Sequence, residues 1–253
     1  MTSAGQVGRA FGCLLLTSAA AAAAELPRGF VYLSDVAPTI RQDIRYSGAH
    51  NFIGRAIDGY LANECVLTER AAGALNQVQN ELALRNFSLI VWDCYRPARA
   101  VRDFIAWSRI PNDIRMKAEF FPRTDKAQFF ALGYLSSRSA HSRGSTVDLG
   151  IVPGTLRTVP RYDPATALRP CTAPKGVRFE DGTIDFGTGH DCLDPLASTA
   201  NPTVPKEATA NRVLLQRLMQ RHGFKHYSRE WWHFELIAEP FPRQRFDFAI
   251  VAH

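Results

Sequence analysis

A histidine and an aspartate stand seven residues apart around a glycine in the stretch Ser139-Ala140-His141-Ser142-Arg143-Gly144-Ser145-Thr146-Val147-Asp148-Leu149-Gly150. No other segment restricts the possible folds as much. From Ser145 onward the residues alternate, so Val147, Leu149 and Ile151 fall on one face of a predicted strand and Thr146 and Asp148 on the other. Asp148 therefore points away from the apolar layer. Gly144 lets the preceding loop turn sharply enough to bring the His141 ring back beside it. A strand bearing a carboxylate, entered through a turn bearing an imidazole, offers a metal two ligands and lacks a third.

The stretch from Tyr227 to Leu236 reads as another strand, with Glu230 three residues ahead of His233. His233 is the third candidate ligand. Two neutral imidazoles and one carboxylate leave a tetrahedral ion one open position, which is the pattern of a catalytic zinc site rather than a structural one. Glu230 then becomes the candidate base. Singly, these residues have plainer readings: His233 as a sheet residue beside Trp231 and Trp232, Glu230 as a solvated carboxylate. Their joint occurrence is what argues for a site.

Four pieces taken together are more specific: Trp92-Asp93-Cys94-Tyr95-Arg96-Pro97, the 139–149 stretch, Glu230-Trp231-Trp232-His233 and the closing Phe246-Asp247-Phe248. In order and spacing they resemble the VanX-type D-alanyl-D-alanine dipeptidases, a zinc peptidase family related to D,D-carboxypeptidases. The resemblance covers the chain from about Phe30 to Phe248. It implies one zinc (Zn2+) per chain held by His141, Asp148 and His233, with Glu230 as general base. Arg96 lies just past a strand end, where its plain reading is a salt bridge with Asp93. By resemblance it steadies the oxygen that becomes negative during cleavage. The segment from Asp185 to Cys192 resembles the family's loop that binds the substrate's free amino group, with Asp191 at the matching position and Asp185 as competitor. The family usually has an aromatic residue where His190 stands here. Ser139 is a candidate for the substrate carboxylate.

The implied substrate is the dipeptide D-Ala-D-Ala. A D,D-carboxypeptidase or endopeptidase on longer peptidoglycan stems is the alternative, against which the Asp191 loop argues. A non-catalytic, zinc-stabilised wall-binding module is the alternative of another class, and it would need neither Glu230 nor Arg96.

Arg9, an apolar run from Ala10 to Thr17 and six alanines from Ala19 to Ala24 read as a secretory signal peptide over residues 1–24. The run is shorter than the roughly 20 residues of a membrane span, so no span is expected after cleavage, and residues 25–253 form the predicted catalytic domain. The expected location is periplasmic or secreted. Cys13 leaves with the leader, and Cys65, Cys94, Cys171 and Cys192 remain, an even number that suggests two disulfides in an exported chain. Sequence does not fix the pairing. Cys65 precedes a predicted helix and Cys94 ends the strand after it, so these two can meet, and Cys171 and Cys192 would then close the intervening loop. Net charge is +6 without a Lys/Arg block, which leaves no nucleic-acid signal.

About 230 residues suffice for one core and are short for two. Leu67, Ala71, Leu75, Val78 and Leu82 mark a helix capped by Thr68, followed by a buried strand from Phe87 to Trp92. Further helices are predicted from Pro97 to Trp107 and from about Asn211 to Arg221. The stretch from Val152 to Pro205, rich in Pro, Gly, Asp and Thr, reads as long loops with short strands bordering the pocket. The expected fold is α+β, a single domain with helices packed on a small, mainly antiparallel sheet.

Overall fold

A computed structural model of the chain describes residues 1–2 and 25–253. The expected leader, with Cys13, lies from residue 3 to residue 24 outside the described residues. Among the described residues seven strands occur in chain order: β1 (Phe30–Tyr32), β2 (Arg41–Gln42), β3 (Val66–Thr68), β4 (Phe87–Asp93), β5 (Thr146–Pro153), β6 (Phe224–His226) and β7 (His233–Leu236). Interleaved with them are helices α1 (Leu33–Val36), α2 (Glu69–Ala83), α3 (Ala98–Ser108), α4 (Lys117–Phe120), α5 (Phe129–Leu132) and α6 (Lys206–Arg221). Among the described residues no helix is long and apolar enough to cross a membrane.

Helix α2 starts where Thr68 takes an extended backbone and its side-chain oxygen accepts from the Ala71 N–H, satisfying one donor that a helix start leaves open. Ala71, Leu75, Val78 and Leu82 form the expected buried stripe, while Leu67, which the spacing counted with them, lies in β3. Gln79 shares that stripe with both ends of its amide engaged: it accepts from the Leu89 N–H at 2.8 Å and donates to Ser88 Oγ at 3.0 Å. Hydrogen bonds thus pin α2 to β4 as well as apolar contact. Helix α6 begins at Lys206, behind Pro205, five residues earlier than its apolar stripe indicates. Its first turns bury Ala208 and the Arg212 guanidinium, which donates to the carbonyls of Phe186, Ser198 and Leu196. A helix anchored by a buried cation gives no hydrophobic signal there.

The main sheet has the order β2-β4-β5-β7-β6, and β1 pairs with β3 in a separate two-stranded sheet. Every pairing is antiparallel except β2 with β4, so the main sheet is mixed through one short parallel edge. Two expectations need correction. The strand predicted from Tyr227 begins only at His233, because the N–H groups of Glu230 and His233 bond back to the carbonyls of Tyr227 and Glu230 in a turn. Residues 154–205 contain no strand, only a 3-10 turn at Pro195–Ala197. Instead this segment lies over the second face of the sheet, where Phe186 stacks on Trp231 at 4.2 Å and His190 on Trp92 at 4.5 Å. Both faces of β5 are therefore buried, and Asp148, although it points away from the Val147 layer, is only 2% exposed.

Candidate active site

Sheet register places three polar residues on one rung. Asp148 of β5 lies opposite His233 of β7 on one side and opposite Asp93 of β4 on the other. From Phe87 to Val91, β4 pairs regularly with β5. Trp92 is then an extra residue, and this bulge moves Asp93 into the place facing Asp148. His141 reaches the same spot from the 3-10 turn His141–Arg143, which Gly144 closes with φ +80° and an N–H bond to the His141 carbonyl.

His141 Nε2, Asp148 Oδ1 and His233 Nδ1 form a triangle with sides of 3.4, 3.1 and 3.3 Å. Ligands bound at about 2.0–2.2 Å to a tetrahedral ion stand about 3.3–3.6 Å apart. The outer contacts fix which nitrogens face inward. His141 Nδ1 lies 2.8 Å from the Cys94 carbonyl, which only accepts, so Nδ1 carries the proton and Nε2 presents a lone pair. His233 turns Nε2 toward Glu235, 3.8 Å away, and Nδ1 toward the triangle. Asp148 Oδ1 is buried without a hydrogen bond of its own among the described residues. Burial disfavours charge on His233, yet the Asp148 and Glu235 carboxylates beside it push it up to about 10. Burial likewise opposes the Asp148 charge, but the surrounding imidazoles hold the carboxyl well below its ordinary value. The cluster thus demands positive charge at its centre. A divalent ion supplies that charge in place of the proton, so donor types, spacing and outer contacts all fit a metal.

Glu230 Oε2 lies 3.6 Å from His233 Nδ1. Burial pushes its carboxyl up to about 8, against the lowering pull of His233 and Arg96 and with the help of the neighbouring Asp148 and Asp191 carboxylates. Arg96 does form the plain salt bridge: its Nε and Nη2 donate to Asp93 Oδ2 at 2.9 and 2.6 Å. That pairing also aims the guanidinium across the rings of Tyr46 and Phe104 to within 4.0 Å of Asp148. Asp93 Oδ1 accepts in turn from the Tyr60 hydroxyl and the Cys94 N–H. The closing motif secures the next helix, since Asp247 accepts from the Arg99 N–H at the start of α3 and Phe248 stacks on Tyr95 at 4.1 Å.

A cleft of about 330 Å³ is lined by Arg96, Ser139, His141, Asp148, Asp191, Glu230 and His233, so the structure brings every candidate residue to one place. Tyr46 donates to Asp191 Oδ2 at 2.7 Å, and burial raises the Asp191 carboxyl above its ordinary value. The rival Asp185 is engaged elsewhere, pairing with Arg178 at 2.6 Å and accepting the Gly187 N–H of its own turn. Disulfides join Cys65 to Cys94 and Cys171 to Cys192. Each holds a site loop, for Cys94 stands two residues before Arg96 and Cys192 follows Asp191. Sequence reasoning missed Tyr46, Tyr60 and Glu235. Glu235, two residues past His233 on the same face of β7, had a period-two signal. Tyr46 sits in a short 3-10 turn and Tyr60 at an isolated bridge to Ile250, and neither had one.

Residues 27–160 and 175–251 match the model of the peptidase M15 family described as D-Ala-D-Ala dipeptidase. A D-alanyl-D-alanine dipeptidase of Streptomyces coelicolor is 38% identical over 222 residues, covering 88% of this chain and 98% of the relative. One from Enterococcus faecalis is 31% identical over 226 residues, 89% and 100% of the two chains. One from Escherichia coli is 30% identical over 207 residues, 81% and 83%.

Proposed function

The chain belongs to the D-Ala-D-Ala dipeptidase family of M15 metallopeptidases, and from that premise we propose that it hydrolyses free D-alanyl-D-alanine to two D-alanines with one zinc per chain held by His141, Asp148 and His233. The observation that carries this is the triangle of donor atoms with Glu230 and Arg96 on its flanks and Asp191 in the same cleft. Bound zinc would polarise the scissile carbonyl and bring the pKa of its water toward about 7.

The protein's own groups do the rest. Glu230, beside His233, takes the proton of the attacking water and returns it to the leaving amine. Arg96, its charge fixed by Asp93, donates to the carbonyl oxygen as negative charge develops there. Asp191, braced by Tyr46, accepts from the substrate's ammonium group, and Ser139 faces the carboxylate end. No covalent enzyme intermediate is required. The leader-like segment supports export to the periplasm or beyond. There the enzyme meets wall-derived peptides and misses the cytosolic pool of newly made dipeptide, which favours wall-peptide turnover or recovery over antibiotic resistance.

Turnover of free and N-acetylated D-alanyl-D-alanine tests the reading. Leaving a buried carboxylate without its ionic partner costs about 3–5 kcal/mol, so acetylation should lower kcat/KM more than about a hundredfold. Asp191→Ala should shrink that preference, and metal analysis should find one zinc, largely lost in His141→Ala or His233→Ala. Equal cleavage of both substrates overturns the dipeptidase reading in favour of a carboxypeptidase.

A further inference from the structure

His190 is 3% exposed, and both of its ring nitrogens are buried without a hydrogen-bond partner among the described residues. Trp92 stacks on the ring at 4.5 Å and 22°, and Trp232 meets it edge-on at 5.4 Å. A purely apolar ring would satisfy that slot. The imidazole adds a donor atom, and it is aimed: Nε2 lies 3.8 Å from Asp148 Oδ2 and 3.8 Å from Asp191 Oδ1. Both carboxylates are set for this approach. Asp148 turns Oδ1 to His141 and His233, which leaves Oδ2 on the His190 side. Tyr46 occupies Asp191 Oδ2, which leaves Oδ1. One ligand atom from each of Asp148, His190 and Asp191 lies within 4.8 Å of the others.

We propose that Asp148 Oδ2, His190 Nε2 and Asp191 Oδ1 form a second divalent-cation site, with Asp148 bridging it to the first. Imidazole with two carboxylates suits zinc or manganese. The two 3.8 Å separations from His190 exceed the roughly 3.3–3.6 Å of tetrahedral zinc ligands by a few tenths, and the two carboxylates are held only within 4.8 Å, so the donors must draw inward. Arg96 Nη2 lies 4.0 Å from this same Asp148 Oδ2 and adds repulsion that its pairing with Asp93 reduces. Both effects make this the weaker site, filled only when the ion is in excess of one per chain. Asp148 and Asp191 line the cleft and give the ion its way in. Because Asp191 is also the group assigned to the substrate's ammonium, and resting on that reading, excess zinc competes with the dipeptide.

The test is a zinc count on metal-stripped protein dialysed against graded free zinc, for the wild type, His190→Phe and Asp191→Asn. Phenylalanine keeps the aromatic stack while removing the donor. The wild type should take one equivalent and then a second at higher free zinc, and excess zinc should raise the apparent KM for D-alanyl-D-alanine without lowering kcat. His190→Phe should keep the first equivalent and weaken the second by at least about 10- to 100-fold, the loss seen even for outer-shell partners, and its inhibition by zinc should fall in parallel. Saturation of the wild type at one equivalent overturns the site. So does a second equivalent that persists in both variants, which marks an ion on the surface. If the His190→Phe variant does not fold, Asp191→Asn decides the count. Absence of any turnover would remove the dipeptidase reading alone, since the count needs no substrate.

Discussion

Replacing Gly144 with alanine tests how tightly the His141 turn is tied to the core. Position 144 has φ +80°, and a left-handed backbone costs an L-residue about 1–2 kcal/mol. The added Cβ would also come 2.2 Å from Phe30 Cε1 and 2.7 Å from Cζ, where carbon atoms prefer about 3.5–4.0 Å. The Phe30 ring has no free direction of retreat. Tyr95, Phe241, Phe246 and Phe248 surround it with ring centroids 4.8 to 5.8 Å away. Overpacking of this kind adds about 1–3 kcal/mol, so Gly144→Ala should lose about 2–5 kcal/mol in all. The damage should also reach the metal. Gly144 donates to the His141 carbonyl and accepts from the Thr68 N–H, so a shifted turn moves the His141 ring and should cost about 10- to 100-fold in zinc affinity. Urea unfolding with disulfides intact, together with a zinc titration, measures both. Stability within about 0.5 kcal/mol of wild type, as at an unconstrained surface position, with unaltered zinc affinity would refute the reasoning.

Glu230→Gln should retain metal and fold yet lose about 10²- to 10⁴-fold in kcat, because the amide cannot accept the proton; near-normal turnover of the metal-loaded variant rejects the assigned base. Asp93→Asn should cost about 3–5 kcal/mol in urea unfolding and lower kcat. The carboxylate accepts from Arg96, Tyr60 and the Cys94 N–H, and an amide offers oxygen to only one side; a loss within about 0.5 kcal/mol would show Arg96 to be held by other means. The protein without residues 1–24 should label no cysteine after denaturation without reductant, and labelling of two thiols per chain would contradict the pairing. Opening the loops of 29 and 21 residues by reduction should remove about 3–4 kcal/mol each.

The residues of the donor triangle were legible because each is announced by its neighbours along the chain. Alternation put Asp148 on the face opposite Val147 and Leu149, the glycine turn brought His141 back, and Glu230-Trp231-Trp232-His233 joined a candidate base to a candidate ligand. The α2 cap and stripe were equally local. A period of two, however, states which face a residue takes and says nothing of which strand lies beside it or in what register. Asp93 therefore read as a salt-bridge partner, and only the bulge at Trp92 put it on the same rung as Asp148 and His233. Residues 154–205 carry no period, so their packing over the second face, and with it the aim of His190, could not be read along the chain. Sequence determined which side chains could do the chemistry, since donor type and local turn geometry are properties of a few consecutive residues. Tertiary structure decided what surrounds them, because Tyr46 against Asp191 and Tyr60 against Asp93 meet across 145 and 33 residues, through packing that no local pattern encodes.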